Sequence, residues 1–192
     1  MKAAKIVTQR LVLEVLNAHA VTQTYVDWLT DIAVNQYLES RFETHTVASV
    51  KAYVEAVLHS ADSLLLGVFV AETQLHIGNV KIGPLNRLHQ VAEIGIMIGD
   101  KRYWGQGLAT EAICAVSAFA FQDLGMRKLE AGCYVENQAS RSVFLKSGYQ
   151  IEGRLRAKWC VQGQRQDGIR LGLLPTELPI LNDHVGRACK TG

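Results

Sequence analysis

The sequence predicts one α+β, or mixed α/β, domain, and three observations support this class. The chain has 192 residues, of which 48% are hydrophobic and 20% charged, so it can bury a substantial core. Alternating apolar patterns, typical of strands, are interspersed with apolar residues at helical spacing. These segments follow the order strand, two helices, three strands, helix, strand, helix and two strands, which excludes an all-helical or all-strand architecture.

The first half of the chain contains a strand, two helices and a meander. Residues 5–16 alternate as a strand, and residues 20–38 carry apolar side chains at helical spacing. Thr46 is a predicted helix cap, and an apolar stripe follows it to about His59. Three apolar, β-prone runs then predict antiparallel strands. These runs are residues 64–72, 75–83 and 91–99.

The second half begins with a helix over residues 109–125, where Gly125 is a suitable helix stop. It continues with a strand, a short helix and two long antiparallel strands. These elements are predicted at residues 128–135, 137–147 and 149–174. Periodicity is lost after this point, so we expect one domain over residues 1–174 and a C-terminal surface tail over residues 175–192.

Composition and charge exclude several classes of protein. The formal net charge is only +2 and both signs are interspersed, so we expect no nucleic-acid partner. The longest apolar stretch, residues 64–71, is about half the length of a membrane-spanning helix. The four cysteines form no CxxC pair and the six histidines form no HxxxH pair, so we expect neither disulfides nor a metal. A cytoplasmic location is expected.

The most informative segment, residues 93–113, runs from a strand through a glycine-containing turn into a helix. Gly105 and Gly107 let the backbone approach a ligand closely. The free N–H groups at the start of the helix favour an anion. Arg102 and Lys101 add positive charge. The segment therefore predicts a phosphate or pyrophosphate site.

Two other glycine-rich phosphate motifs are excluded. The chain contains no GxxxxGK[ST] motif, and the dinucleotide pattern GxGxxG fails because Thr110 stands at the third glycine. What remains is R-x-x-G-x-G, from Arg102 to Gly107, with its flanking strand and helix. This combination is more specific than a bare GxG.

A second pattern follows downstream, in which Asn137 and Ser140 are separated by two residues and Phe144 precedes a Gly-Tyr pair ending at Tyr149. Together with the turn at residues 102–107, it makes the chain resemble the GNAT superfamily of acetyl-CoA-dependent N-acetyltransferases. The later Glu-Gly-Arg sequence and an aspartate before the last strand are similar to the ribosomal-protein N-terminal acetyltransferase (RimJ/RimL-like) branch. These two features are residues 152–154 and Asp167, and the resemblance covers about residues 8–174.

The resemblance implies a central, mostly antiparallel sheet that is splayed between its fourth and fifth strands and flanked by about four helices. It also implies acetyl-CoA as co-substrate, with its pantetheine arm between those two strands and its pyrophosphate on the turn, and no metal. Gly95 and Gly99 then mark the expected strand bulge. The residues implied for acetyl-CoA binding are Met97, Ile98, Arg102, Trp104, Gly105, Gln106, Gly107, Leu108, Ala109, Asn137 and Ser140.

The reaction implied is direct attack of a primary amine on the thioester, for which a base must take the amine's proton. Glu93 is the candidate base, directly or through water; the alternative is an ordinary exposed strand glutamate. Many family members carry a proton-donating tyrosine where this chain has Phe144. Ser140 is therefore the second catalytic candidate, with Asn137 holding the pantetheine amide. An N-cap role for Asn137 is the competing interpretation.

The acceptor side is less defined by the sequence. Tyr37 and Arg41 lie in the segment that covers the cleft in the family, and Asp167 lies in the last hairpin, where a cross-strand pair is equally compatible. The acceptor is expected to be a protein N-terminal α-amine or a small-molecule amine, with an amino sugar as the alternative. An inactive CoA-binding domain is the competing class. The strands at 149–174 offer an edge for a homodimer.

Overall fold

The protein is described by a computed structural model, which covers residues 4–161 and 163–179. Within these ranges eight strands form one sheet in the order β1-β2-β3-β4-β5-β6-β8-β7. The strands are β1 (Lys5–Val7), β2 (Leu11–Val15), β3 (Leu64–Val70), β4 (His76–Asn86), β5 (Val91–Ile98), β6 (Lys128–Tyr134), β7 (Gln150–Val161) and β8 (Gln164–Leu173). The helices in the same ranges are α1 (Gln23–Thr30), α2 (Ile32–Asn35), α3 (Val47–Leu58), α4 (Leu108–Gln122) and α5 (Gln138–Lys146). The predicted mixed α/β class is confirmed.

The sheet opens between β5 and β6, its one parallel pair among the described strands. These strands pair at three positions, and the last pair joins Glu93 to Glu130. Beyond this point residues 94–98 of β5 pair with β4 alone. The predicted splay between the fourth and fifth predicted strands is therefore present.

Two predicted elements are each split in the structure. The strand predicted at residues 5–16 is the β1–β2 hairpin, because the Leu11 N–H donates to the Thr8 hydroxyl at 3.0 Å and closes a turn. The helix predicted at 20–38 ends at Thr30, because Asp31 is extended and its side chain caps the N-terminus of α2. The structure consequently has five α-helices among its described residues instead of about four.

The expected bulge lies on β4 and not at Gly95 or Gly99. Ile82 pairs with Ile94 and Leu85 with Ala92, so Gly83 and Pro84 lie opposite the single residue Glu93. Proline has no N–H with which to continue the ladder, which accounts for the irregularity at this position. Residues 94–98 of β5 continue in regular register.

Two hydrophobic clusters hold the layers together. On one face of the sheet, α4 packs with a stripe that includes Ile113 and Val116, both fully buried. On the other face, α1 and α3 form a second cluster around Trp28 and Val54. The stripe predicted for α3 is buried at Val50, Val54 and Val57, and its predicted Thr46 cap forms a reciprocal capping box with Ser49.

The described part of the predicted tail continues past β8 as a short 3-10 turn at Pro175–Glu177. Its Glu177 accepts a hydrogen bond from the Gln150 side chain at 2.6 Å. The remainder of the predicted tail, residues 180–192, lies outside the described residues, so the domain boundary at 174 stays a prediction. None of the described helices has both the length and the apolar character that crossing a bilayer requires.

Candidate active site

A cleft of about 1060 Å³ begins where β5 and β6 separate. Residues of α1 to α3 cover one side, the turn before α4 and the start of α5 form another, and β4, β5 and β8 contribute side chains from the sheet. Glu93 lies at the point where the two strands part. The opening of the sheet therefore brings residues from distant parts of the chain into one cavity.

The turn before α4 is an anion site made largely of main chain. Gly105 and Gly107 have φ of +71° and +78°, in the left-handed region that favours glycine. Gly107 caps α4 without a side-chain hydrogen bond, so the first N–H groups of the helix have no acceptor from the cap residue. A Cβ atom added at Gly105 would meet nothing within 4 Å. This turn has the open space and the donors that a pyrophosphate needs.

The side chains of the turn brace its backbone. The Arg102 guanidinium binds the Asp100 carboxylate, with Nη2 at 2.6 Å from Oδ2, and this hydrogen bond lowers the pKa of Asp100. Gln106 donates to the Arg102 carbonyl at 2.7 Å, and the Trp104 indole donates to the Ile98 carbonyl at 2.7 Å. Arg102 and Gln106 are not lining residues of the cleft, whereas Trp104, Gly105, Gly107, Leu108 and Ala109 are.

Sequence reasoning missed a support for this turn, Arg10 in the β1–β2 hairpin. Its Nη1 donates to the Gln106 carbonyl at 3.0 Å and its Nε donates to Glu111 at 2.7 Å. Burial acts to raise the pKa of Glu111, but hydrogen bonds from Thr8 and Arg10 outweigh it and the pKa is lowered. No sequence signal links Arg10 to the turn, because about one hundred residues separate them.

The unpaired stretch of β5 forms the floor of the cleft next to this turn. Met97 and Ile98 line it, and both belong to the stretch that pairs with β4 alone, whereas their predicted contact with acetyl-CoA stays a prediction. A Cβ atom at Gly95 would meet nothing within 4 Å. The unpaired edge of this strand suits an extended chain, because β6 does not pair with its main-chain groups, although the Ile98 carbonyl already accepts from the Trp104 indole.

Glu93 and Glu130 share one arginine but differ in their access to the cleft. Arg170 of β8 places Nη1 at 3.8 Å from Glu93 and Nη2 at 3.4 Å from Glu130. Glu93 lines the cleft and its side chain is 47% exposed, whereas Glu130 is not among the lining residues. The carboxylate positioned to meet a ligand is therefore that of Glu93.

The start of α5 faces the cleft with Asn137 and Ser140. The Asn137 side chain accepts a hydrogen bond from the Ser140 N–H at 3.1 Å, which makes Asn137 the N-cap of the helix. Both residues line the cleft. The capping interpretation thus describes one contact of Asn137, and the roles of both residues toward a ligand stay predictions.

An aromatic wall, defined here as Tyr37, Tyr134 and Trp159, closes the far side of the cleft. The Tyr134 ring stacks on Trp159 at 4.3 Å between centroids and lies 5.5 Å from Tyr37. All three line the cleft, including the predicted Tyr37. Arg41 is placed behind this wall, where it donates to the Tyr134 hydroxyl at 2.9 Å, and it is not a lining residue.

Asp167 lies in the last hairpin and away from the cleft lining. Its carboxylate accepts a hydrogen bond from the Ala157 N–H at 2.7 Å and binds Arg154 across the strands. These contacts, the backbone one first, lower the pKa of Asp167. The structure therefore places Asp167 in the cross-strand pair that the sequence left as an alternative.

Comparison with known proteins decides the family. A sequence profile described as the acetyltransferase (GNAT) domain matches residues 10–150. The chain belongs to the GNAT acetyltransferases. It is accordingly an acyltransferase that moves an acetyl group from acetyl-CoA to an amine, and the resemblance inferred from the two sequence patterns is confirmed.

Relatives of this GNAT chain include enzymes with different acceptors in their names. It is 28% identical over 158 residues to a ribosomal-protein-serine acetyltransferase of Escherichia coli, covering 76% of this chain and 84% of that protein. It is 32% identical over 94 residues to a spermidine N(1)-acetyltransferase of E. coli, but this match covers only 49% and 50% of the two chains. The N-acetyltransferase YoaA of Bacillus subtilis is 28% identical over 150 residues, covering 78% and 84%.

Solved structures share the fold of this GNAT chain. A Vibrio cholerae spermidine N-acetyltransferase, crystallised with CoA and spermine, superposes with a TM-score of 0.77 at 22% identity, covering 87% of this chain and 96% of that one. A GCN5-related N-acetyltransferase from Brucella melitensis gives a TM-score of 0.74 at 25% identity, covering 90% and 79%. At these identities the likeness supports the fold and leaves the acceptor open.

Phe144 stands where many GNAT enzymes carry a proton-donating tyrosine, so the site has no phenol at this position. Phe144 is 2% exposed and meets the Tyr149 ring edge-on at 5.0 Å. The Tyr149 hydroxyl pairs with Ser117 at 3.1 Å in the core, and burial raises the pKa of this phenol. Neither residue can therefore deliver a proton in the cleft as a solvent-linked tyrosine would.

Proposed function

We propose that this GNAT enzyme acetylates a primary amine held beside Glu93, as a member of the RimJ/RimL-like branch. The acceptor would be a protein N-terminal α-amine or a small-molecule amine. One observation carries the proposal: the carboxylate of Glu93 lies where the sheet opens, in a cleft that the main-chain anion site and the aromatic wall also line. This position supports Glu93 as the base, because acetyl-CoA and an amine bound in this cleft would both lie within its reach.

Glu93 would take the proton that the amine must lose. Alkylamines are mostly protonated at neutral pH, and only the neutral amine is a nucleophile. The half-exposed Glu93 carboxylate can accept the proton directly or through a water molecule, while Arg170 at 3.8 Å restrains its position. Bound acetyl-CoA supplies an activated acetyl group whose thiolate leaves readily, since an ordinary thiol has a pKa near 8.5.

The other predicted residues complete the proposal. The main chain of the turn from Gly105 to Ala109 would hold the pyrophosphate, and the open edge of β5 at Met97 and Ile98 would hold the pantetheine arm. Ser140, half-buried and lining the cleft, would orient the sulfur or donate through a water, because Phe144 carries no hydroxyl. Asn137 would contact the arm's amide while its side-chain oxygen caps α5.

The test measures CoA release from acetyl-CoA with a panel of peptides, amino sugars, amino acids and polyamines. We expect Glu93→Gln to lower kcat/KM by about 10²- to 10⁴-fold, the usual contribution of a positioned base. Glu130→Gln is the matched control, because Glu130 shares Arg170 but does not line the cleft. Equal loss in both variants would reject Glu93 as the base, and no release with any amine would favour an inactive CoA-binding domain.

Two further proposals concern the setting of the enzyme. Free thiols at Cys114, Cys133 and Cys160 suit a reducing compartment, so we propose a cytoplasmic location, which cell fractionation would test.

The strand β7 ends the sheet order, so one of its edges pairs with no other described strand. We propose a homodimer through this edge, and a monomeric mass in analytical ultracentrifugation at micromolar concentration would reject it.

A further inference from the structure

Two of the three carboxylates that line the cleft, Glu39 and Glu93, are already engaged by cations and donors of the chain itself. Glu93 faces Arg170 at 3.8 Å. Glu39 accepts a hydrogen bond from the Tyr134 hydroxyl and lies 3.8 Å from Arg41. Carboxylates neutralised in this way have little attraction left for an incoming polycation. The charged groups that line the cleft comprise Glu39, Glu43, Glu93, Lys81, Lys146, Lys158 and Arg170, without counting His45.

The aromatic wall is covered in the same way. Lys158 holds its ammonium 4.5 Å from the centre of the Trp159 ring. The Arg41 guanidinium lies 5.2 Å from the centre of the Tyr134 ring. Aromatic faces attract ligand ammonium groups when they are free. Lys158 lines the cleft and occupies the Trp159 ring, whereas Arg41 contacts Tyr134 from behind the wall, so the cation that a ligand meets at this wall is Lys158.

The floor of the cleft contains a hydrogen-bond donor that lacks an acceptor. Asn79 of β4 is 5% exposed and lines the cleft. Its Oδ1 accepts from His76 Nε2 at 3.0 Å, while its Nδ2 has no hydrogen-bond partner within the described residues. A buried donor without an acceptor destabilises the folded protein, because it has lost its hydrogen bond to water. A ligand oxygen that accepted this hydrogen bond would remove that destabilisation.

Lys81 adds a positive charge next to Asn79 on the same face of the sheet. The two residues are two positions apart on β4, where they pair with Met97 and Gly95 of β5. Lys81 is half-buried and lines the cleft. Glu93 is two residues from Gly95 on β5 and is therefore the diagonal neighbour of Lys81. Diagonal neighbours on one face of a sheet are about 7–8 Å apart. The floor thus presents, along one face, the base Glu93, then the cation Lys81, and two residues further along β4 the amide donor of Asn79.

We infer that the acceptor amine carries a carbonyl or anionic oxygen close to its nitrogen, that Asn79 and Lys81 bind this oxygen, and that polyamines are poor acceptors. The inference rests on the proposed function, because it assumes that the amine is acetylated beside Glu93. An acceptor with this chemistry places its nitrogen toward the base and its oxygen toward the donor pair. A spermidine-like chain has no oxygen for these donors and brings a further ammonium group close to Lys81.

The first experiment compares two amines that differ in one group. Phenylalaninamide and 2-phenylethylamine share ring and amine, but only the amide carries a carbonyl oxygen near the nitrogen. We expect kcat/KM for phenylalaninamide to exceed that for 2-phenylethylamine and for spermidine by about tenfold or more, the worth of a charge-assisted hydrogen bond. Equal values for the two aromatic amines, or a preference for spermidine, would overturn the inference and leave the proposed function intact. No turnover of any amine would overturn both.

The second experiment removes the floor donors one at a time. Lys81→Met and Asn79→Asp should each lower kcat/KM for phenylalaninamide about tenfold and leave the value for 2-phenylethylamine within about twofold. Asn79→Asp keeps an oxygen for His76 and replaces the Nδ2 donor with an oxygen, but it also adds an ionisable carboxyl group, so Asn79→Ala is made alongside it to remove the donor without adding charge. Lys51→Met on the exposed face of α3 is the matched control. A loss that is equal for both amines would show a structural role and reject the inference.

Two more measurements separate binding from turnover and identify the source of the oxygen. Calorimetry of phenylalaninamide with the protein and CoA should show weaker binding to Lys81→Met, whereas unchanged binding would count against the donor pair. A peptide N-terminus, a free amino acid and an amino sugar all present an oxygen near the amine. Their relative kcat/KM values distinguish a neutral carbonyl, a carboxylate and hydroxyl groups as the oxygen that is bound.

Discussion

The two sides of the cleft are built from different parts of the protein. On the cofactor side the main chain is exposed to the cavity, at two glycines with positive φ and at the uncapped start of α4. On the acceptor side the cavity meets side chains from α1 to α3, β4, β6, β7 and β8. The cofactor side is mostly the contiguous segment 97–109, with Asn137 and Ser140 added from α5, whereas the acceptor side is assembled from many elements by the fold.

This difference explains how one family can keep a cofactor and vary its acceptor. Main-chain donors depend on backbone conformation, so most side-chain substitutions around the turn leave them in place. Side chains such as Lys81 and Trp159 can change without disturbing the turn, because they lie on other strands. We therefore expect substitutions on the two sides to affect different kinetic constants.

The largest effect is expected at Gly99, which lies between β5 and the turn before α4 and also contacts Trp28 of α1. A Cβ atom there would lie 2.1 Å from Cδ2 of Trp28, which anchors α1 in the acceptor-side cluster. We expect Gly99→Ala to lower the free energy of unfolding by about 1–3 kcal/mol or more through overpacking. Urea denaturation measures this change.

Gly95→Ala is the matched control, because a Cβ at Gly95 would meet nothing within 4 Å. We expect its free energy of unfolding to stay within about 1 kcal/mol of the unsubstituted protein. Its methyl group instead enters the cleft on the face that β5 shares with Lys81 of β4, so the KM for the acceptor should rise. Equal destabilisation by both substitutions would show that the Trp28 contact is not the cause.

The turn offers a sharper test of the cofactor side alone. Gly107 has φ of +78°, and a β-branched residue in this region costs about 1–2 kcal/mol. If the native backbone is needed to bind phosphate, Gly107→Val should raise the KM for acetyl-CoA about tenfold. The acceptor KM, measured at saturating acetyl-CoA, should not change. A parallel rise in both constants would contradict the separation of the two sides.

Burial of His76 on the acceptor side should make the stability of the protein depend on pH. Burial among aromatic rings lowers the pKa of His76, and its hydrogen bonds to Asn79 and Gly78 only partly oppose this. In the unfolded chain the pKa of His76 is about 6.5, whereas in the folded protein it is lower. Between these two pKa values the unfolded chain binds more protons than the folded protein. The free energy of unfolding therefore falls as the pH drops from about 6.5 toward the folded pKa. His76→Phe should flatten this part of the curve in urea denaturation between pH 7.5 and 5.5. The exposed His89→Gln variant should retain it.

The difference between a local turn and a wall assembled by the fold also determines how much of the site the sequence could predict. The turn from Arg102 to Gly107 was recognisable because its function follows from local backbone conformation in consecutive residues. The aromatic wall was only partly predictable, since Tyr37 was identified but Tyr134 and Trp159 meet it only after the sheet has formed. Splitting of the first strand and first helix depended on single turn contacts at Thr8 and Asp31, which apolar periodicity does not register.

The smallest effect is expected at Arg102, although the sequence pattern made it the most prominent cation of the turn. Its side chain is 76% exposed and engaged with Asp100, so it braces the turn from outside the cleft lining. If the main chain holds the phosphates, Arg102→Ala should raise the KM for acetyl-CoA by less than about threefold, as for other exposed ion pairs. A tenfold rise in steady-state kinetics would instead show that the guanidinium leaves Asp100 to bind phosphate. In that case the cofactor side would also rely on a side chain, and the contrast between the two sides would be one of degree.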